Sequence, residues 1–124
     1  KTLEIRIKSR QSADKEFAAA LKRIKSGKKT IHRKGIYFTS LEAVRNLLTE
    51  KRMELLHLIR ERHPSSIYEA AKMSGRDFKN VYADLKILQS YGLVKASLSG
   101  KTRRLAPSRK MIVPYRSINI HAWV

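Results

Sequence analysis

The residue types best suited to contact nucleic-acid bases lie close together in the second half of the sequence. Asn80 can form two hydrogen bonds with adenine, and a lysine such as Lys79 or Lys86 can donate to guanine or to a phosphate. Arg76 supplies a forked cationic donor, and Tyr82 supplies a ring with a polar end. We therefore expect Asn80 and Tyr82 to contact base edges, and the three cations to contact both bases and phosphates.

Catalytic and metal-binding arrangements find no support in the residue types present. The chain has no cysteine, which excludes disulfides, thiolate nucleophiles and cysteine-ligated zinc. Its 4 histidines lack the spacing of a metal-binding pair, and no Ser-His-Asp, paired-carboxylate or phosphate-loop motif can be assembled. The sequence therefore predicts a protein that is not an enzyme and carries no metal or cofactor. The lack of cysteine is typical of a cytoplasmic protein.

The residues expected to contact bases fall on a predicted helix. Val81, Leu85 and Leu88 recur at helical spacing, Asp77 can cap the beginning of the helix, and Gly92 ends it. With that apolar stripe turned inward, the remaining side chains face outward. The outward-facing residues are Lys79, Asn80, Tyr82, Ala83 and Lys86. The alternative is an ordinary amphipathic helix whose polar face is only solvated.

A shorter helix is predicted immediately before it. Ser66 and Glu69 have the spacing of a capping box, and the residues that follow through Met73 suit a short helix, which Gly75 breaks. Two helices joined by a short glycine-containing turn are typical of a helix-turn-helix, in which the second helix enters the major groove. We include Ser66, at the start of the first helix, in the expected DNA-binding surface.

A basic hairpin is predicted after the second helix. Residues 93–96 and 102–105 suggest two strands, joined by a flexible turn at 99–101, as in the wing of a winged helix. Lys101, Arg103 and Arg104 would then meet the flanking DNA backbone or the minor groove. Alternation along a strand places Arg103 and Arg104 on opposite faces, so both are not expected to bind one groove. The alternative is a hairpin that is merely exposed.

The remaining segments predict both helices and strands. Apolar and polar residues alternate at residues 3–8 and 118–122, as in half-buried strands. The pattern of residues 30–38 is ambiguous, and a basic loop that leads into a short strand at residues 36–38 is one interpretation. Helices are expected at residues 12–24, after a capping box formed by Thr39 and Glu42, and from Thr49 to Pro64. The predicted class is α+β. A winged helix-turn-helix domain would occupy residues 49–124, and a strand-helix extension that could mediate dimerisation would occupy residues 1–48.

The distribution of charge favours a polyanionic partner. The chain has 28 Lys and Arg residues against 10 Asp and Glu residues, a net charge of +18, and no acid follows Asp84. Self-repulsion of this size is most simply explained by binding to nucleic acid. The cluster between Lys28 and Lys34 either extends the phosphate-binding surface or forms a solvated loop. No apolar run approaches the roughly 20 residues of a membrane span, and no signal peptide is expected.

From residue 48 onward the chain resembles a group of small predicted transcriptional regulators of bacteria and archaea, with winged-helix domains of the broad MarR and ArsR class. The stretches that carry the resemblance are residues 48–56, 66–71, 75–85 and 92–94, with 35–43 upstream and 113–120 downstream. The run Gly-Arg-Asp-Phe-Lys-Asn-Val at 75–81 is the most specific of them.

The resemblance implies a cytoplasmic regulator, most simply a repressor and a homodimer, that binds double-stranded DNA. Some members of the group are encoded beside a small toxin-like protein, which implies an antitoxin that neutralises a small protein toxin and represses its own operon. Those relatives tend to carry acids in the wing, whereas this chain has Lys101, Arg103 and Arg104. There are two alternatives to a duplex-binding regulator. One is a protein that binds a toxin, and the other is a winged-helix protein that binds RNA.

Overall fold

The structure, a computed structural model, describes residues 1–8, 15, 17–19, 21–22, 35–97, 106 and 108–123. Its elements are β1 (Thr2–Ile7), β2 (Ile36–Phe38), α1 (Leu41–Leu47), α2 (Glu50–Arg62), α3 (Ile67–Ser74), α4 (Phe78–Ser90), β3 (Lys95–Ala96), β4 (Met111–Ile112) and β5 (Ser117–Ala122). Residues 15, 17–19 and 21–22 also have helical backbone. The fold is therefore α+β, as the sequence predicts.

The chain forms two compact units. One comprises Asn46–Arg116 together with Lys1, and the other comprises Thr2–Arg45 together with Ser117–Val124. The sequence-based division places residues 117–124 with the second segment. In the structure they belong to the unit of the N-terminal strand, because β5 pairs with β1 along its whole length.

A three-stranded parallel sheet organises the unit that comprises Thr2–Arg45 and Ser117–Val124. The strand order is β2-β1-β5, and Ile5 of β1 lies opposite both Ile36 and Ile120. Alternation turns Leu3 and Ile5 to the buried face of the sheet. On the opposite face of the sheet from Leu3 and Ile5, the amino group of Lys8 lies 5.0 Å from the ring centre of Tyr37 and 5.1 Å from that of Trp123.

Polar caps fix where the helices begin. The Thr49 hydroxyl accepts a hydrogen bond from the Arg52 amide at 3.2 Å, which confirms the predicted start of α2. Helix α1 is capped by Ser40, whose hydroxyl accepts from the Ala43 amide at 3.1 Å. The predicted cap at Thr39 is therefore wrong by one residue. Either hydroxyl suits an N-cap position, and the capping-box spacing to Glu42 favours Thr39.

The core of the unit that contains Asn46–Arg116 forms where α2, α3 and α4 pack together with the chain after α4. Its buried apolar residues are Leu47, Leu55, Leu56, Ile59, Ile67, Ala70, Ala71, Val81, Leu85, Leu88, Leu93, Val94, Ala96 and Met111. Strand β3 pairs antiparallel with β4, with Lys95 opposite Ile112. The sequence predicts residues 102–105 as the returning strand. Those residues lie outside the described part of the chain, and the strand that the structure pairs with β3 is Met111–Ile112.

Candidate nucleic-acid interface

The turn between α3 and α4 is set by one hydroxyl and one glycine. Ser66 caps α3, since its hydroxyl accepts from the Glu69 amide at 3.1 Å. Gly75 ends α3 in the left-handed conformation with φ of 66°, which favours glycine. Asp77 occupies the N-cap position of α4, as predicted, but its side chain makes no capping hydrogen bond. Three residues, Gly75 to Asp77, therefore connect the two helices.

The apolar stripe of α4 fixes the orientation of the helix. The side chains of Val81, Leu85 and Leu88 are wholly buried, so the opposite side of α4 is solvent-accessible. Four of the residues predicted to contact DNA are exposed there: Lys79, Asn80, Ala83 and Lys86. Tyr82 is half-buried. The structure thus places the outward-facing set of α4 where helical spacing predicts it.

The exposed side of α4 has a centre and two flanks. At about 100° of rotation per residue, Lys79 and Ala83 lie near the middle of the exposed arc. Asn80 and Tyr82 lie on opposite flanks, about 160° apart. They could contact bases together only in a groove that encloses the helix on both sides, as the DNA major groove does.

Arg76 has a partner within the protein. Its guanidinium Nη2 donates to a carboxylate oxygen of Asp84 at 2.7 Å, and Arg52 Nε donates to the other oxygen at 3.1 Å. All three side chains are 16–17% exposed. Arg52 also donates to the carbonyls of Asn46 and Leu47, at the C-terminal end of α1. This network ties α4 to α2 and to the inter-helix turn, and it neutralises the acid of α4.

Aromatic rings form a continuous stack beside α4. The ring centres of Tyr68 and Phe78 lie 4.4 Å apart with planes 16° from parallel, and those of Phe78 and Tyr82 lie 5.7 Å apart at 26°. The amino group of Lys86 lies 5.4 Å from the centre of the Tyr82 ring. The stack therefore joins α3 to the flank of α4 that carries Tyr82.

The expected wing contacts cannot be placed on the structure. Lys101, Arg103 and Arg104 lie outside the described residues, as does the cluster from Lys28 to Lys34. In the described part of this region, Lys95 of β3 and Lys110, just before β4, are exposed. The Ser97 amide donates to the Lys110 carbonyl at 2.7 Å, so the β3–β4 pairing continues by one further hydrogen bond.

Metal-binding and membrane-spanning features are absent from the described residues. No group of three or more His, Asp or Glu residues there is arranged to hold a metal ion. No helix in that part of the chain is long and apolar enough to span a bilayer. Ile59, Arg60, Met111, Val113 and Arg116 are among the residues that line a cleft, and Arg60 donates a hydrogen bond to the Val113 carbonyl at 3.1 Å.

Sequence reasoning missed the partners of two residues near α4. The pair Phe78 and Tyr82 is spaced by four residues, so its contact was readable from helical geometry. The other contacts depend on how the helices pack: Tyr68 of α3 stacks on Phe78, and Asp84 bonds to two arginines. No signal in the sequence indicates which arginine lies near Asp84.

Comparison with known proteins places the chain in a family. No curated protein and no solved structure matches it significantly. Residues 47–120, which are 74 of the 124 positions, match the model of the family HVO_A0114. The matched range covers α2, α3, α4 and the β3–β4 pair, as well as most of β5. The family name states no activity, so function has to be argued from the chemistry of the surface. The chain belongs to the HVO_A0114 family.

Proposed function

We propose that this protein is a sequence-specific regulator of transcription, most simply a repressor, that binds duplex DNA. In this proposal α3 and α4 form a helix-turn-helix and the β3–β4 region belongs to a wing. The observation that carries the proposal is the exposed face of α4. This face lies opposite a wholly buried stripe and carries Lys79, Asn80, Ala83 and Lys86. These residues lie in the N-terminal part of a helix that follows a three-residue turn.

The residue types on this face suit a major groove. Ala83 is small and lies near the centre of the exposed arc, so the helix backbone can approach the base edges closely. Asn80 on one flank can bond bidentately to adenine, and Lys79 can donate to guanine or to a phosphate. Asp84, the acid within α4, is held by Arg52 and Arg76 and adds little net repulsion toward phosphates.

The charge of the whole chain supports a polyanionic ligand. The net charge of +18 would raise the rate of encounter with DNA and supply affinity that does not depend on sequence. Specificity would then come from the few side chains on α4 that reach base edges. We assign Arg76 a positioning role, because its guanidinium bonds to Asp84 and is largely buried.

The test begins with the selection of bound sequences from a random duplex library. Affinities for the selected duplex and for a random duplex are then measured for the wild type and for Asn80→Ala and Tyr82→Ala. Each substitution is expected to reduce the ratio of the two affinities, because a base contact contributes about 1–3 kcal/mol of discrimination. Circular dichroism checks that each variant is folded.

Lys51→Ala is the matched control, since Lys51 is exposed on α2 rather than on α4. Its ratio of selected to random affinity is expected to equal that of the wild type. If Asn80→Ala and Tyr82→Ala also leave the ratio unchanged, α4 does not read the sequence. Failure of the wild type to bind any duplex would contradict the proposed function itself.

A further inference from the structure

The aromatic stack of Tyr68, Phe78 and Tyr82 is not explained by core packing. Tyr68 is 59% exposed, and Phe78 and Tyr82 are only half-buried. The hydrophobic core beneath them consists of aliphatic side chains such as Val81 and Leu85. The exposed part of the stack, above all Tyr68, leaves apolar ring surface in water, which costs free energy unless a ligand covers it. The stack therefore has the character of a contact surface.

The position of the stack indicates which part of a ligand it would meet. Phe78 is the first residue of α4, and Tyr82 lies one turn later on the flank next to the exposed arc of Lys79 and Ala83. Residues at the N-terminal end of a recognition helix are those that reach base edges. A duplex bound on α4 would therefore bring its groove against the edges of these rings.

The geometry of the rings limits the contacts they can make. One face of the Tyr82 ring packs near Phe78, and the amino group of Lys86 lies over the same ring. The Phe78 ring stacks with both neighbouring tyrosines. Intercalation between bases would require free ring faces, whereas an apolar edge contact does not. In a major groove, the apolar group available for such a contact is the 5-methyl group of thymine.

We infer that the Tyr68, Phe78 and Tyr82 stack is a thymine-selective contact surface that packs against 5-methyl groups in the major groove. The inference rests on the proposed function and adds the base class that this flank of α4 prefers. Tyr82 makes the contact, while Phe78 and Tyr68 hold its ring in place by stacking. Lys86 remains beside the ring, where its charge lies within reach of the adjacent phosphate.

The inference is tested on the duplex selected from the random library, with each thymine replaced in turn by deoxyuridine. Deoxyuridine keeps every hydrogen-bonding group of thymine and lacks only the methyl group. At one or two positions the wild type is expected to lose about fourfold in affinity, as one methyl group is left unburied. A 5-bromodeoxyuridine at the same position should restore binding, because bromine fills the space of the methyl group.

Variants connect this loss to the stack. Tyr82→Ala should bind the thymine and uracil duplexes equally, whereas Tyr82→Phe should keep the fourfold difference because the ring remains. Tyr91→Ala, at the other end of α4, is the matched control and should also keep it. Phe78→Leu should reduce the difference by loosening the Tyr82 ring, and its thermal unfolding would show whether the variant remains folded.

The outcomes separate this inference from the proposed function. If the wild type binds the duplex but does not distinguish uracil from thymine at any position, the inference is wrong and the proposed function stands. The same holds if the difference persists in Tyr82→Ala. Tighter binding to the single strand than to the duplex would also overturn the inference, since the rings would then be a platform for unpaired bases. The absence of all duplex binding would instead remove the proposed function.

Discussion

Asp84 of α4 bonds to two arginines from other parts of the chain. A carboxylate on a helix proposed to face phosphates would weaken binding unless cations neutralise it. Arg52 and Arg76 bond to its two oxygens from different elements, and the exposed fraction of each side chain is below one fifth. The Nη1 atom of Arg76 is buried and has no hydrogen-bond partner among the described residues. The guanidinium is therefore held mainly by the carboxylate.

Asp84→Asn is expected to lower the free energy of unfolding by about 1–3 kcal/mol. The amide keeps only one of the two oxygens, so one guanidinium group loses its acceptor. The two arginines, which are partly buried, also lose their counter-charge. Urea denaturation of the two proteins measures the difference. Glu54→Gln removes an exposed acid of α2 and should change the stability by no more than about 0.5 kcal/mol. Equal effects of the two substitutions would mean that the network does not stabilise the fold.

The individual residues of the site could be predicted to different degrees. Lys79, Asn80, Ala83 and Lys86 are exposed as helical spacing requires, because orientation follows from the buried stripe. Arg76 precedes the helix, so its orientation depends on the inter-helix turn and on the location of Asp84. Periodicity carries no information about either. For this reason a residue expected to face DNA is bonded to another part of the protein.

At the scale of elements, local signals located the helices and strands better than they located their partners. Alternation indicates the strands Thr2–Ile7 and Ser117–Ala122. Helical spacing, caps and glycines indicate the helices α2, α3 and α4. The strand Ile36–Phe38 lies in a segment whose pattern is ambiguous. The partner of β3 could not be read in this way. Residues 111–112 also suit a strand, and their pairing with β3 depends on contacts in the core, where Met111 is buried.

The predicted wing can be tested as an element without knowledge of its structure. Substitution of Lys101, Arg103 and Arg104 together by Ala should weaken binding to the selected and random duplexes by similar factors, because phosphate contacts carry no sequence information. The plot of log affinity against log salt concentration should become flatter by about one unit for each phosphate that is no longer neutralised. Fluorescence anisotropy at several salt concentrations measures both effects.

A substitution within α4 provides the comparison for the wing variant. Asn80→Ala removes no charge, so its salt slope should equal that of the wild type while its discrimination between duplexes falls. The opposite result for the wing variant, a loss of discrimination with an unchanged slope, would assign base reading to residues 101–104. The alternative of a merely exposed hairpin predicts no change in either quantity.

For the whole molecule, the class of fold followed from local patterns but the assembly of the sheet did not. Thr2 pairs with Ser117, and Ile7 with Ala122, so the ends of the chain meet in parallel. Such pairing joins residues that are far apart in sequence, and their alternation is compatible with several strand orders. The two terminal strands pair with each other, and the outer edge of β5 has no neighbouring strand among the described residues.

This edge of β5 is the surface from which we predict a homodimer. An exposed strand edge pairs readily with another strand unless charged residues or proline protect it. Strand β5 contains no Lys, Arg, Asp, Glu or Pro, and Ile120 is 48% exposed beside it. A twofold axis perpendicular to the strands would pair two copies of β5 antiparallel and join two sheets through identical residues. The net charge of +18 on each copy opposes that association, so bound DNA or added salt should favour it.

Light scattering is therefore expected to show twice the monomer mass at physiological salt, and the monomer at low salt and low protein concentration. Ile120→Lys should shift the equilibrium toward the monomer, because it places a cation at the centre of the paired edge. Ile112→Lys introduces the same charge at a similarly exposed isoleucine on β4 and should leave the mass unchanged. A monomer at high protein concentration and high salt would rule out the dimer. An equal response to both substitutions would show that general charge repulsion, rather than the β5 edge, controls association.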